Sequence, residues 1–302
     1  MDINYELYKV FYYVADTLSF SEASKQLYIS QSAVSQSIKA LEKKLDQTLF
    51  IRSTKKVQLT PEGEILLRHI EPAIHLIKRG EAQILESATT GGQIRIGASD
   101  TICRYFLVPY LERFHRAFPN AHIKVTNATS IKWTELLETG QVDLIVANYP
   151  NAYLGNLVSI KKIKEFQDVF IANHAFRELK GHPLSLKQLL DYPIIMLDKK
   201  STTREFLHSL FQKHQLDLVP EIELSSNDLL IDLASIGLGI AFIPDYCFPL
   251  KSDDLFIVET TEKLPKRQLI AAYNEHVPIS RAAQAFLNYF DEPVISQNPD
   301  TI

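Results

Sequence analysis

Gln31, Ser32, Ser35, Gln36 and Lys39 recur at a spacing that places them opposite Val34, Ile38, Leu41 and Leu45 if the segment is a helix. Amide and hydroxyl groups match the donor and acceptor patterns of base edges in a major groove, and a lysine suits phosphate. Between Lys25 and Lys56 seven basic residues (Lys25, Lys39, Lys43, Lys44, Arg52, Lys55, Lys56) stand against two acidic ones, Glu42 and Asp46, a net of +5 in a chain of net charge −4. A local basic patch on an acidic protein suits a confined phosphate-binding surface. A solvated charged face gives the same count, so charge alone leaves both readings open.

A second set of polar groups lies further along. Ser99-Asp100-Thr101, Thr129-Ser130 and Ser201-Thr202-Thr203-Arg204 each follow a strand-like segment. Such turns cap helices in any α/β protein. They also gather around a crevice when strands end together, where helix N-termini offer N–H groups to a ligand. Asn148, after another strand, joins this set, with Asn227-Asp228 behind it. Arg204 is its one strong cation. Pointing inward, Arg204 would favour an anionic ligand such as a carboxylate; otherwise it pairs with Glu205 or Asp198. Asp100 argues against a highly charged anion.

The elements that must position these groups follow from periodicity. Leu7, Val10, Phe11, Val14 and Leu18 mark a first amphipathic helix. Ser19 and Glu22 have capping-box spacing and open a short second helix, with Ser21 on its first turn as a further DNA candidate. Ser30 caps the third helix. Leu49-Phe50-Ile51-Arg52 and Val57-Gln58-Leu59 read as a hairpin with a basic tip, a wing on which Arg52, Lys55 and Lys56 are candidate phosphate contacts. Thr60-Pro61 then opens a long helix, whose Leu66, Ile70, Ala73, Ile77 and Ile84 form a coiled-coil-like seam in need of a partner. The competing reading packs that helix on its own sensor domain.

Beyond Gly91 strands and helices alternate: Gln93–Gly97, Ile123–Val125, Asp143–Ala147, Asp168–Ala172, Ile194–Leu197 and Glu221–Leu224, with helices between. This pattern predicts a largely parallel α/β domain covered on both faces. Its two halves are similar, and QLIAAYN near Gln268 and a helix around Phe286 return to the first.

The ordered string Phe20-Ser21-Glu22-Ala23, Leu27, SQSAVSQSIKALEKKL, LFIR and LTPEG resembles the signature of LysR-type transcriptional regulators. QIRIGAS, FLVPYLERFHRAFPNAHIKV, GQVDLIVA and GLGIAFIP resemble that family's effector domain. Ser24 and Asp46 stand where the family commonly has Ala and Gly. The resemblance implies an all-α winged helix-turn-helix (1–60), a linker and dimerisation helix (61–90) and an effector domain (91–302). That domain would comprise two Rossmann-like lobes of periplasmic-binding-protein type, about 91–162 with 267–292, and 163–266. It further implies double-stranded operator DNA, a small-molecule effector, a second copy of the chain in a dimer or tetramer, and RNA polymerase as a candidate partner. Ser99, Thr101, Thr129, Thr202 and Thr203 match positions at which the family holds its effector.

No enzyme is expected. Neither a Gly-x-Ser-x-Gly elbow nor a phosphate-binding glycine–lysine loop occurs, and the nine histidines form no metal-ligand spacing. No cofactor or metal is expected. Cys103 lies near the proposed cleft with no close partner in sequence, which leaves redox sensing unsupported. The N-terminal MDINYELYKVFYYV lacks the pattern of a secretory leader and no apolar run reaches membrane-spanning length, so a cytoplasmic location is the expectation. A solute-binding protein or an enzyme on the same two-lobed scaffold are the alternatives.

Overall fold

The computed structural model describes residues 3–52, 56–86, 92–128, 130–154, 158–199, 201–249 and 254–291. They form two compact units, one of residues 1–88 with 138–140 and one of the remainder.

In the first unit, helices α1 (Tyr5–Thr17), α2 (Phe20–Leu27) and α3 (Gln31–Leu45) precede a two-stranded hairpin, β1 (Phe50–Arg52) and β2 (Val57–Leu59), and the long helix α4 (Pro61–Glu86). Caps set these boundaries. The Ser19 and Ser30 hydroxyls accept from the backbone N–H groups of Glu22 and Ala33. Only half of the expected capping box forms, because the Glu22 carboxylate turns to Lys25, 3.1 Å away. Asp46 closes α3 in the left-handed conformation at φ 52°, which Asp tolerates better than most residues. The Glu42 carboxylate accepts from the N–H groups of Leu49 and Phe50, tying α3 to the hairpin. Thr60 caps α4 through the N–H of Gly63 at 3.0 Å. A Cβ on Gly63 would lie 2.3 Å from the Leu49 carbonyl oxygen, which explains the glycine in LTPEG. Phe11, Val14, Val34, Ile38 and Leu41 form the core, with Leu66, Leu67 and Ile70 of α4 packed against it. Pro72 interrupts the hydrogen-bond ladder of α4 without ending the helix.

The second unit carries β3 (Gln93–Ala98), then α5 (Asp100–Ile102), which runs through a π-helical turn, Cys103–Leu107, into α6 (Val108–Ala117). There follow β4 (His122–Thr126), α7 (Ser130–Glu138), β5 (Leu144–Tyr149), β6 (Val158–Asn173), α8 (Leu186–Leu189), β7 (Ile194–Leu197), α9 (Thr202–Lys213), β8 (Ile222–Leu224) and α10 (Asn227–Ser235). β9 (Ile240–Pro244), β10 (Leu255–Val258), β11 (Lys266–Asn274) and α11 (Arg281–Asn288) complete it. The strand order is β4-β3-β5-β11-β6-β9-β7-β8, with β10 also on β6.

Pairing is parallel within each group of three, β4-β3-β5 and β9-β7-β8, and antiparallel wherever β6, β10 or β11 takes part. The largely parallel expectation therefore holds for each lobe but not for their junction. There the single strand β6 pairs with β11 along its first half and with β9 along its second. Both faces of each lobe are buried, as parallel sheets require. On β5, Leu144 and Val146 face the cluster with Phe114 and Phe286, while Ile145 and Ala147 face Trp133 and Leu137. In the second lobe, Phe170 and Phe242 pack on α9, and Ile171 and Ile195 on α10.

Candidate functional site

The first unit buries Val34, Ile38 and Leu41 and leaves Gln31, Ser32, Gln36 and Lys39 exposed on α3, with Ser35 half-buried at the border. Ser21, Arg52 and Lys56 are also exposed; Lys55 lies outside the described residues. Arg52 is ordered by two contacts. Its guanidinium lies 4.2 Å from the centroid of the Phe20 ring and donates to Ser35 Oγ at 2.9 Å. Sequence reasoning missed Tyr28, which caps α2 in the left-handed conformation and is 95% exposed on the turn before α3.

In the second unit a cleft of about 530 Å³ opens where strands of both lobes end. Ser99, Asp100 and Thr101 line it from the first lobe, as does Asn148 after β5; Thr202 and Thr203 line it from the second, with Asn227 and Asp228 beside them. Thr129 lies outside the described residues and the side chain of Ser130 is not described. Ser201 of the third hydroxyl turn lines the cleft too, and Trp133, Asp198 and Tyr246 do so without having been identified from sequence. Trp133 reads as a core aromatic on α7, and nothing local shows that its ring edge reaches a cavity. Its indole N–H and the Asn227 side-chain oxygen are buried with no hydrogen-bond partner among the described residues.

The lobes also touch directly across the cleft. The Tyr105 hydroxyl donates to Asp228 at 2.6 Å, the Asn227 amide donates to Thr101 at 3.0 Å, and Arg104 approaches Asp228 at 3.5 Å. Burial, reinforced by Asp228, pushes the Tyr105 phenol up, and burial does the same to Tyr246, so both remain protonated donors. Tyr246 donates to Asn148 at 3.3 Å.

Arg204 requires correction. It does not line the cleft; it is buried in α9, pairs with Glu223 at 2.5 Å and reaches the Leu197 carbonyl at 3.5 Å. Its partner is neither Glu205 nor Asp198 but a residue of β8. The carboxylate preference loses the residue that carried it. Among the described residues, the lining includes three aspartates and no Lys, Arg or His.

A second buried arginine, Arg267 on β11, bonds two of the threonines that line the cleft. Fully buried, it pairs with Asp168 of β6 at 2.9 Å and donates to Thr203 Oγ1 at 3.2 Å and Thr202 Oγ1 at 3.5 Å. Its guanidinium lies 4.8 Å from the ring centroid of Phe206. Burial raises the Asp168 carboxyl, and Arg267 opposes that rise. No local pattern joins residues ninety-nine positions apart, so the pair was not visible in the sequence.

Among the described residues no group of three His, Cys, Asp or Glu side chains gathers as metal ligands, and no helix is long and apolar enough to cross a membrane. Cys103 is half-buried, Cys247 buried, and both thiols are free.

Comparison with known proteins agrees with this division. Residues 5–64 match the model of the bacterial regulatory helix-turn-helix protein, lysR family, and residues 87–293 match the LysR substrate binding domain. The chain is 27% identical to the HTH-type transcriptional activator CmpR of a Synechocystis strain over 93% of each protein. It is 32% identical to a probable RuBisCO transcriptional regulator of Gracilaria tenuistipitata var. liui over 74% of each. In fold it resembles a full-length OxyR variant from Pseudomonas aeruginosa, with a TM-score of 0.73 at 18% identity over 99% of this chain and 100% of that one. It also resembles full-length CbnR in complex with its target DNA, with a TM-score of 0.66 at 17% identity over 96% and 99%. An exposed polar face on α3, a two-lobed α/β unit with a cleft, and both family models lead to one conclusion: the chain is a transcriptional regulator of the bacterial LysR family and not an enzyme.

Proposed function

We propose that α3 enters the major groove of operator DNA, with Gln31, Ser32, Ser35, Gln36 and Lys39 toward bases and adjoining phosphates. The wing, through Lys55 and Lys56, and Ser21 on α2 hold the backbone. A small polar effector occupies the cleft of the second unit and is held by Ser99, Thr101, Thr129, Thr202 and Thr203, with Asp100, Ser130 and Asn148 at its margin. Its binding alters the angle between the lobes and thereby DNA occupancy. The chain works in the cytoplasm as a dimer or a dimer of dimers, with RNA polymerase as its downstream partner. Ile77 and Ile84 of α4 support self-association, being 43% and 73% exposed on a helix whose Leu66 and Ile70 are already packed.

The observation that carries this reading is the segregation on α3 of a fully buried apolar stripe from an exposed row of amide, hydroxyl and amine groups. A gel shift with the chain's own upstream region, repeated over a salt series, tests it. Affinity falls steeply with salt. Gln31→Ala changes sequence preference, whereas Lys55→Ala weakens all sequences alike. Binding that is unchanged in both variants would sink the docking model.

A further inference from the structure

We infer that Arg52 is a positioning residue that sets what Ser35 reads: it presents the Ser35 hydroxyl to the groove as a hydrogen-bond donor, so that the facing base must offer an acceptor. This rests on the reading that α3 lies in the major groove.

A serine on a helix is ambiguous, since its hydroxyl can donate or accept and so tolerates either kind of base edge. One common way for a helical serine to resolve the ambiguity is to donate back to a carbonyl one turn earlier. Ser35 does not. Its one hydrogen bond among the described residues is the one it accepts from Arg52 at 2.9 Å. A guanidinium has no acceptor atom, so the direction of that bond is fixed, and it occupies one lone pair of Ser35 Oγ. A charged donor on one lone pair strengthens the O–H as a donor and weakens the remaining lone pair as an acceptor.

Arg52 is itself held for this task. Its guanidinium stacks 4.2 Å from the Phe20 ring centroid, and that ring is buried among Phe11, Phe50 and Ala23. No carboxylate neutralises Arg52 among the described residues. The platform comes from α2, the reader from α3 and the cation from β1, so three elements converge on one hydroxyl. Cytosine presents only its N4 amino donor in the major groove, whereas guanine, adenine and thymine each present an acceptor. Cytosine is therefore the base this arrangement rejects.

The test is selection of the full-length protein on a randomised duplex library, followed by affinity measurements over a salt series. Wild type, Ser35→Ala, Arg52→Lys and Arg52→Gln are compared, and each fold is checked by its thermal melt. Wild type should exclude cytosine at one position of each half-site by roughly three- to tenfold, the worth of a single hydrogen bond. Ser35→Ala and Arg52→Lys should relax that same position while leaving the others intact. The lysine variant keeps the positive charge, so its salt dependence should match wild type. A wild-type profile in Arg52→Lys, together with uniform loss and a salt slope reduced by about one in Arg52→Gln, would make Arg52 a phosphate contact and overturn the inference. Failure of the underlying reading looks different: Ser35→Ala and Gln31→Ala would then both leave the selected sequences unchanged.

Discussion

The arginine beside the polar face of α3 and the two arginines around the cleft of the second unit are handled in opposite ways. In the first unit, Arg52 stays exposed, stacked on an aromatic ring and turned toward the polar border of α3. In the second, Arg204 and Arg267 are both taken inside and each is matched to a carboxylate, Glu223 and Asp168. An exposed cation remains available to a polyanion, whose field it meets before contact. A buried cation cannot serve that purpose and instead fixes the geometry around it, because leaving it unpaired is costly. Arg52 therefore offers charge outward beside α3, while Arg204 and Arg267 hold together the elements around a cleft whose described lining holds hydroxyls, amides and aspartates.

The sharpest way to break this comparison is at Asp168. Both partners of the Asp168–Arg267 pair are fully buried, so Asp168→Ala leaves a buried guanidinium with only the two threonine hydroxyls. We expect it to cost about 3–5 kcal/mol, read as a fall in the denaturant midpoint of the second unit. The double variant Asp168→Leu, Arg267→Met should recover most of that loss. If the single variant is neutral, the pair is not a brace.

A close approach in the head gives the next effect. Gly63→Ala forces a Cβ to within 2.3 Å of the Leu49 carbonyl, and that oxygen belongs to backbone held by Thr60 N at 3.0 Å. A loss of about 1–3 kcal/mol is expected, confined to the melting of the first unit. Gly80 of α4 has open space where a Cβ would go. Gly80→Ala should therefore stabilise by up to about 1 kcal/mol through helix preference, and the two alanines should move the melt in opposite directions.

These contrasts also explain what could be read from the chain before its structure. The face of α3 was legible because a helix repeats every 3.6 residues, and four apolar side chains suffice to assign the other positions outward. The hydroxyl turns Ser99–Thr101 and Thr202–Thr203 were legible because strand ends of an open sheet converge by topology. The direction of Arg204 was not. It follows two residues after the N-terminus of α9, where a turn of about a third of the helix circumference separates cleft from interior, and its partner Glu223 lies on a strand brought in by the parallel pairing of β7 and β8. Arg267 was hidden for the same reason, since its partner is supplied across the β6–β11 junction rather than by local spacing. Trp133 packs in the core with Leu136 and Leu137, and a place on the apolar side of a helix says nothing of the indole N–H at its edge.

Arg204 and Glu223 give a smaller and asymmetric effect. The Arg204 side chain is 8% exposed and the Glu223 side chain 38%. Removing the carboxylate strands a buried cation, while removing the cation leaves a carboxylate that water can reach. Glu223→Ala should cost about 1–3 kcal/mol and Arg204→Met about 1 kcal/mol or less. Neither should alter the concentration at which an effector raises the melting temperature. A weakened effector response in Arg204→Met alone would return the residue to the cleft.

The smallest effect tests the cleft margin through Cys103. Burial, and to a lesser extent Asp100, raises its thiol above the usual cysteine value. The thiolate is the nucleophile, so a raised value means less thiolate at any given pH and slower alkylation than an unperturbed thiol below and through that range. Cys247, raised further by burial and then by Asp168, should react more slowly still. Iodoacetamide labelling of the folded protein, followed by intact mass over a pH series, reads both rates. Asp100→Asn should accelerate Cys103 only modestly, because the carboxylate is the lesser cause and burial persists. A large acceleration would mean that the Asp100 charge dominates the cleft margin. Fast labelling of unmodified Cys103 at neutral pH would instead mean that the cleft opens enough in solution to expose the thiol, and that the contacts of Tyr105 and Arg104 with Asp228 hold the lobes only part of the time.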